Sequence, residues 1–240
     1  MIADVPALIA KYKDWIRKTG NADELYKWEA TRHFQETWNI DAEDFALMLK
    51  KALSKSSNLL YPNSWQYIML AARHYPEETR AMFRTLLDEG RDLSSRLKEF
   101  ATGAAGLTSV IQEKTGKRLQ PHQDERTMAL YLAMAYPERH YLYKYSYYLK
   151  TCDMLGEKTA EAGEKYLHFL IIAEQLKRDY LLRDQELLDL HHATLNPSCY
   201  RGDDSNLILQ NLLWVGLQRL ADEKPIPIDS GTSWWIYAPG

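Results

Sequence analysis

The sequence predicts an all-α fold, a multi-helix domain over residues 1–220, with a short C-terminal strand behind it that belongs to a following domain. Three observations predict it. Apolar residues recur at the three- and four-residue spacing of a helix face along most of the chain. Segment after segment opens on Asp, Asn or Pro, which start helices because they cap free backbone N–H groups or have none to satisfy. After Leu220 the composition shifts to Pro, Gly and Ser, and then to a run of aromatics.

The first helix opens at Pro6 and carries Leu8, Ile9, Tyr12, Trp15 and Ile16 on one face until Gly20 ends it. Asn21 is expected to cap a second segment with Leu25, Trp28 and Phe34, and Asp41 with Asp44 a third holding Phe45, Leu49 and Ala52. Beyond the polar break at 54–58, Asn63 caps a helix to Tyr75, and Pro76 with Glu77 and Glu78 opens the next. Leu86, Leu87, Leu93, Leu97 and Phe100 continue the helical period. Residues 101–119 hold Gly103, Gly106 and Gly116 among small side chains and read as an interior loop or hinge. The chain turns helical again from Pro121 through Tyr136, restarts at Pro137 and runs to Gly156; a long segment near 160–192 and another from Asp204 to Leu220 follow. Tyr-Pro-Glu closes a helix at 75–77 and again at 136–138, two ordinary corners where a solenoid needs about three repeats. Residues 221–233 form a linker, and Trp234–Gly240 reads as strand and turn. A lone strand leaves its backbone unpaired, so residues 234–240 are expected to begin a second, truncated domain.

Of 240 residues, 45% are apolar and 26% charged, the balance of a globular protein able to bury a core. Seven Trp and 16 Tyr predict a Tyr-rich interior with some rings left at the surface. Cys152 and Cys199 stand far apart without flanking His or Cys, which argues against a disulfide framework or a zinc site and fits a cytoplasmic setting. No stretch approaches the roughly 18 apolar residues of a membrane span, and no membrane partner is expected. A net charge of −3 excludes a surface that is basic throughout, while a local basic patch stays open.

The chemistry-bearing motifs are absent. No GxxxxGK[ST] phosphate loop occurs; Gly-Glu-Lys-Thr at 156–159 puts Glu before the Lys and lacks the upstream Gly. Neither GxGxxG, HExxH nor GxSxG is present. No catalytic residue, metal ligand or cofactor is therefore assigned, and the chain is read as a non-enzyme. His191 and His192 point to different helix faces and read as a helix-end pair. Asp203, Asp204 and Ser205 read as the cap of the last helix.

Residues 139–150 interleave aromatics and bases, with Arg139, Lys144 and Lys150 among Tyr141, Tyr143, Tyr145, Tyr147 and Tyr148, and no acid before Asp153. On a helix these rings occupy two stripes. They suit either base stacking, with Tyr143 or Tyr147 as the stacking ring, or a core helix packed on two sides. Lys117 and Arg118, with Lys114, form a second basic element before Pro121 that could meet a phosphate backbone.

Three strings, His-Gln-Asp-Glu-Arg-Thr at 122–127, Tyr-Pro-Glu-Arg-His-Tyr-Leu-Tyr-Lys-Tyr-Ser at 136–146 and Trp-Trp-Ile-Tyr-Ala-Pro-Gly at 234–240, resemble the helical N-terminal region of bacterial McrB-like proteins over roughly residues 58–240. In that family such a region precedes a PUA-like, EVE-type domain and an AAA+ motor. The resemblance implies a non-catalytic targeting module of a restriction-type defence ATPase, sensing nucleic acid such as DNA, with the motor and a partner nuclease supplying hydrolysis and cutting. It carries no binding residues over. The alternative is a helical protein-interaction or assembly scaffold of the same kind of ATPase.

Overall fold

Aspartate starts many of the helices. Asp4, Asp44, Asp92, Asp124 and Asp184 accept the backbone N–H of Ala7, Leu47, Ser95, Thr127 and Leu187 at 2.7–3.0 Å, each cap contributing about 1 kcal/mol. Gly20, Gly116 and Gly156 close three helices in the left-handed conformation that a side chain would resist. The computed structural model describes residues 4–220, and all regular structure among them is helical. In order these are α1 Val5–Thr19, α2 Tyr26–Thr37, α3 Phe45–Ala52, α4 Pro62–His74, α5 Pro76–Leu86, α6 Leu93–Thr115, α7 Glu125–Ala135, α8 Tyr145–Leu155, α9 Lys165–Asp179, α10 Gln185–His192 and α11 Ser205–Trp214, the last continuing into a π-helical turn at Val215–Arg219. The expected all-α class is the observed one. The predicted strand at 234–240 lies outside the described residues.

Helices α2 to α6 pack each on the next in sequence, and α7 returns to lie on α2 and α9. Helix α1 packs on α10, α11 and the π turn, which brings the two ends of the described chain together. Two helices are sheathed by the others. Thr127–Met134 of α7 and Ser205–Leu213 of α11 are buried without a break, as a helix with no solvent face must be. Around α7, the rings of Phe83, Phe100 and Tyr131 meet edge to face or tilted at centroid distances of 5.0–5.9 Å, and Trp38 and Phe45 extend the cluster.

Several sequence expectations give way to tertiary packing. Residues 101–115 are helix, not loop or hinge, and only 116–119 leave it. A Cβ on Gly103 would stand 2.9 Å from Met82 Cγ, so the glycine lets α6 lie close against α5. Next to it, buried Ala104 accepts the hydroxyl of Tyr67 from α4 on its carbonyl. Residues 140–144 lie outside any helix, and His140, Tyr141 and Tyr143 are buried in the core. The long segment near 160–192 is two helices broken at Tyr180–Asp184. Asn21 caps nothing with its side chain; it is fully buried in a left-handed turn at φ 57°. Pro62, not Asn63, opens α4. Asp204 precedes α11 but spends its carboxylate elsewhere, on Trp28 Nε1 at 2.7 Å and His192 Nε2 at 3.0 Å.

Candidate anion-binding sites

The seven residues singled out in the sequence fall into separate environments. Arg139 is exposed and faces carboxylates, with Glu89 at 3.5 Å and Glu138 at 3.6 Å. Lys150 Nζ donates to the Leu217 carbonyl at 2.9 Å, closing the π turn, where α11 leaves carbonyls short of donors. Tyr143 and Tyr147 are buried. The Tyr143 ring meets Tyr166 and Phe169 at 5.6 Å, Tyr147 meets Phe169 at the same distance, and the Tyr147 hydroxyl donates to the Leu142 carbonyl. Neither ring offers a face to an incoming base, so their reading as stacking groups is corrected to core packing. Burial pushes the hydroxyl pKa of both upward.

Lys144 stands at the mouth of a pocket, its Nζ 4.3 Å from the centre of the Trp214 ring. Tyr143 and Tyr147 back the same pocket, and α2, α7 and α11 contribute Lys27, Arg126 and Gln210. Burial and the nearby Arg126 guanidinium hold the Lys144 pKa below its usual value. Lys27 is almost wholly buried, paired with Glu24 at 2.8 Å and donating to Asn211 Oδ1 at 2.6 Å. Burial draws its pKa down to about 8 against the opposing pull of Glu24. Nothing in the sequence marked Lys27, Arg126 or Gln210, which lie far apart along the chain and meet only when α2, α7 and α11 pack.

Lys117 and Arg118 belong to a different place. They follow the C-terminus of α6, where Lys114 lies over the Tyr75 ring at 5.2 Å. Helix α4 ends beside them with Arg73 and His74. Partial burial, then the charges of Lys114, Arg73 and Lys117, depress the His74 pKa. Arg73, Lys114, Lys117 and Arg118 are exposed, and among the described residues none has a carboxylate at ion-pair distance. Two helix C-termini favour cations there through their dipoles, and the cations still present their charge to solvent.

Among the described residues no group of three or more His, Cys, Asp or Glu is placed to hold a metal ion, and no helix is long and apolar enough to cross a membrane. No family model, no curated protein and no solved structure matches this chain.

Proposed function

We propose that this chain is a non-catalytic targeting module that binds nucleic acid through its phosphate backbone, acting within an McrB-like restriction or defence ATPase in which a motor and a partner nuclease do the chemistry. One observation carries the reading: Arg73 in the last turn of α4 and Lys114 and Lys117 at the end of α6 are exposed, Lys114 lies 5.2 Å from the Tyr75 ring that follows α4, and none of the three has a carboxylate at ion-pair distance among the described residues. Lysine and arginine so placed release counterions when they meet phosphates, and binding through them is steeply salt-dependent. The McrB-like strings at 122–127 and 136–146 support the setting. Titration of duplex and single-stranded oligonucleotides at several salt concentrations tests the reading. Wild type should bind at low salt, and Lys114→Glu/Lys117→Glu should weaken binding for every sequence and flatten the log–log salt slope by about 0.9 per lost duplex contact. Equal binding by the double variant, or none by wild type, refutes it.

The scaffold alternative has its own support in a groove lined by Leu47, nearly half exposed, and by Trp65 and Met69 between α3 and α4. Leu47→Ala separates the two readings, since it removes the apolar edge of the groove without adding a charge near Arg73, which lines the same groove.

A further inference from the structure

The string at 122–127 begins on a residue that the fold holds against its own preference. His122 stands at φ 45°, one of two described residues other than glycine in the left-handed region, where a side chain crowds its own backbone. Its carbonyl accepts the Ser64 hydroxyl at 2.7 Å and the Thr127 hydroxyl at 3.0 Å. Gln123 locks the same turn, its Nε2 donating to the Ser64 and Pro121 carbonyls at 3.0 Å. A strained residue persists only where its surroundings over-determine it, and such residues gather where ligands are held.

The turn sets the His122 ring against Tyr61, with centroids 5.5 Å apart and planes inclined at 69°. Tyr61 is 47% exposed. Its backbone is preset as well: Pro62 confines the residue before it to the extended region, and Tyr61 stands there at φ −66° and ψ 136°. The two rings therefore form a corner on two fixed backbones. A planar base can stack on the exposed part of the Tyr61 ring at small entropic cost, because a tyrosine side chain has only two torsions to immobilise.

Cations stand near the corner without counter-charges. Arg126 donates to the Leu59 carbonyl at 3.2 Å, which places its guanidinium beside the segment that leads into Tyr61. Lys117 and Arg118 sit on the short arm between α6 and His122, and Gln112 Nε2 ties that arm back to α6 through the Leu119 carbonyl at 2.8 Å. None of the three cations has a carboxylate at ion-pair distance among the described residues. The two acids of the same stretch are engaged, Asp124 as the cap of α7 and Glu125 on the Tyr166 N–H at 3.1 Å. An exposed ring with free cations around it suits a single strand: the ring takes a base and the cations take its phosphates, whereas a duplex already has its base faces stacked on one another.

We propose that the Tyr61–His122 corner stacks an unpaired base, with Arg118 and Arg126 meeting the adjoining phosphates, so that the nucleic acid taken by this module is single-stranded. The proposal rests on the nucleic-acid reading and narrows it from any polyanion to a strand with free base faces.

Fluorescence anisotropy of the whole chain with two short labelled strands of equal length and charge tests it. One is an oligothymidylate; the other is abasic, keeping the phosphates and lacking the bases. Wild type should bind the thymidylate strand more tightly by roughly five- to 150-fold, the range for one base stacked on an aromatic ring. Tyr61→Ala should close that gap and Tyr61→Phe should keep it, a contrast that lost charge or a loosened fold would not produce. Equal affinity of wild type for the two strands, or a gap that survives Tyr61→Ala, overturns the proposal and leaves the polyanion reading standing. A blunt duplex that binds more tightly, phosphate for phosphate, than the thymidylate strand does the same. No binding of any strand at low salt overturns both.

Discussion

Asn211 is the residue on which the polar interior turns. Its Oδ1 accepts from Lys27, while its Nδ2 donates to the Tyr12 hydroxyl at 2.7 Å and to Asn21 Oδ1 at 3.0 Å; Asn21 Nδ2 in turn lies 3.2 Å from His191 Nε2. The chain of contacts ties α1, α2, α10 and α11 together inside the apolar core, where an unpartnered member costs more than the bond gains. Lys27→Met leaves Glu24 with Arg219 at 2.8 Å and the Trp214 indole N–H at 3.4 Å, so a loss of about 3 kcal/mol in urea unfolding is expected, the low end for a broken buried pair. His191 sets an acid limb. Burial, helped by His192 and Lys27, depresses its pKa to about 3. The unfolded chain therefore binds the extra proton below about pH 6.5, and stability falls as pH drops from there toward 3, by several kcal/mol at most. A His191→Gln variant should lose that limb in pH-dependent thermal melts; an unchanged limb would assign acid unfolding to the carboxylates instead.

Helix α6 shows how one element can hold two glycines with opposite meanings. At Gly106 a Cβ meets nothing within 4 Å, and the residue is exposed mid-helix. Gly106→Ala should therefore stabilise by roughly 0.5–1 kcal/mol, by removing backbone freedom from the unfolded chain. Gly103→Ala removes the same freedom from the unfolded chain but drives its methyl into Met82, so the net should be near zero or destabilising. Chemical denaturation of the pair measures the difference, and equal stabilisation by both would mean that α5 and α6 are not held as close as the backbone implies. The caps are the element's other lever. Asp124→Ala should cost about 1 kcal/mol, because it removes the acceptor for Thr127 N–H at the start of the buried helix α7.

Across the whole molecule the buried tyrosines set the alkaline limit. Burial raises the hydroxyl pKa of Tyr12, Tyr131, Tyr141, Tyr147 and Tyr166 above the usual 10. The folded chain keeps these protons while the unfolded chain loses them, so stability declines as pH rises past about 10. Lys27 acts in the opposite sense between about pH 8, its folded value, and about 10.5, where the unfolded side chain titrates. Stability should hold or rise slightly through pH 8–10 and then collapse. Circular dichroism at 222 nm against pH, with Lys27→Met alongside, follows both trends: the variant should lose the shoulder and keep the collapse.

Helical period and helix starts were legible in the chain itself, because an i, i+3, i+4 apolar stripe and an Asp or Pro at the first turn act within a few residues of one another. That is why α1, α3 and α5 lie close to where their patterns place them. The tyrosines at 141, 143, 147 and 148 also announced a core, yet spacing alone could not tell that Tyr141 and Tyr143 precede the helix while Tyr147 and Tyr148 lie on it. That choice fell to residues distant in sequence, Glu89 bonded to His140 and Phe169 packed on Tyr143. The same holds for residues 101–115, whose small side chains weaken helix formation alone but allow α5 and α6 to meet. Lys27, Arg126, Lys144 and Gln210 carry no local signal, since an ionic pocket is defined by distances between helices. Sequence by itself determined that this protein is helical, rich in buried aromatic rings and without a recognisable catalytic motif. Tertiary packing alone decided which cations are neutralised and which remain free to meet an anion, because charge compensation acts through a few ångströms of space rather than along the chain.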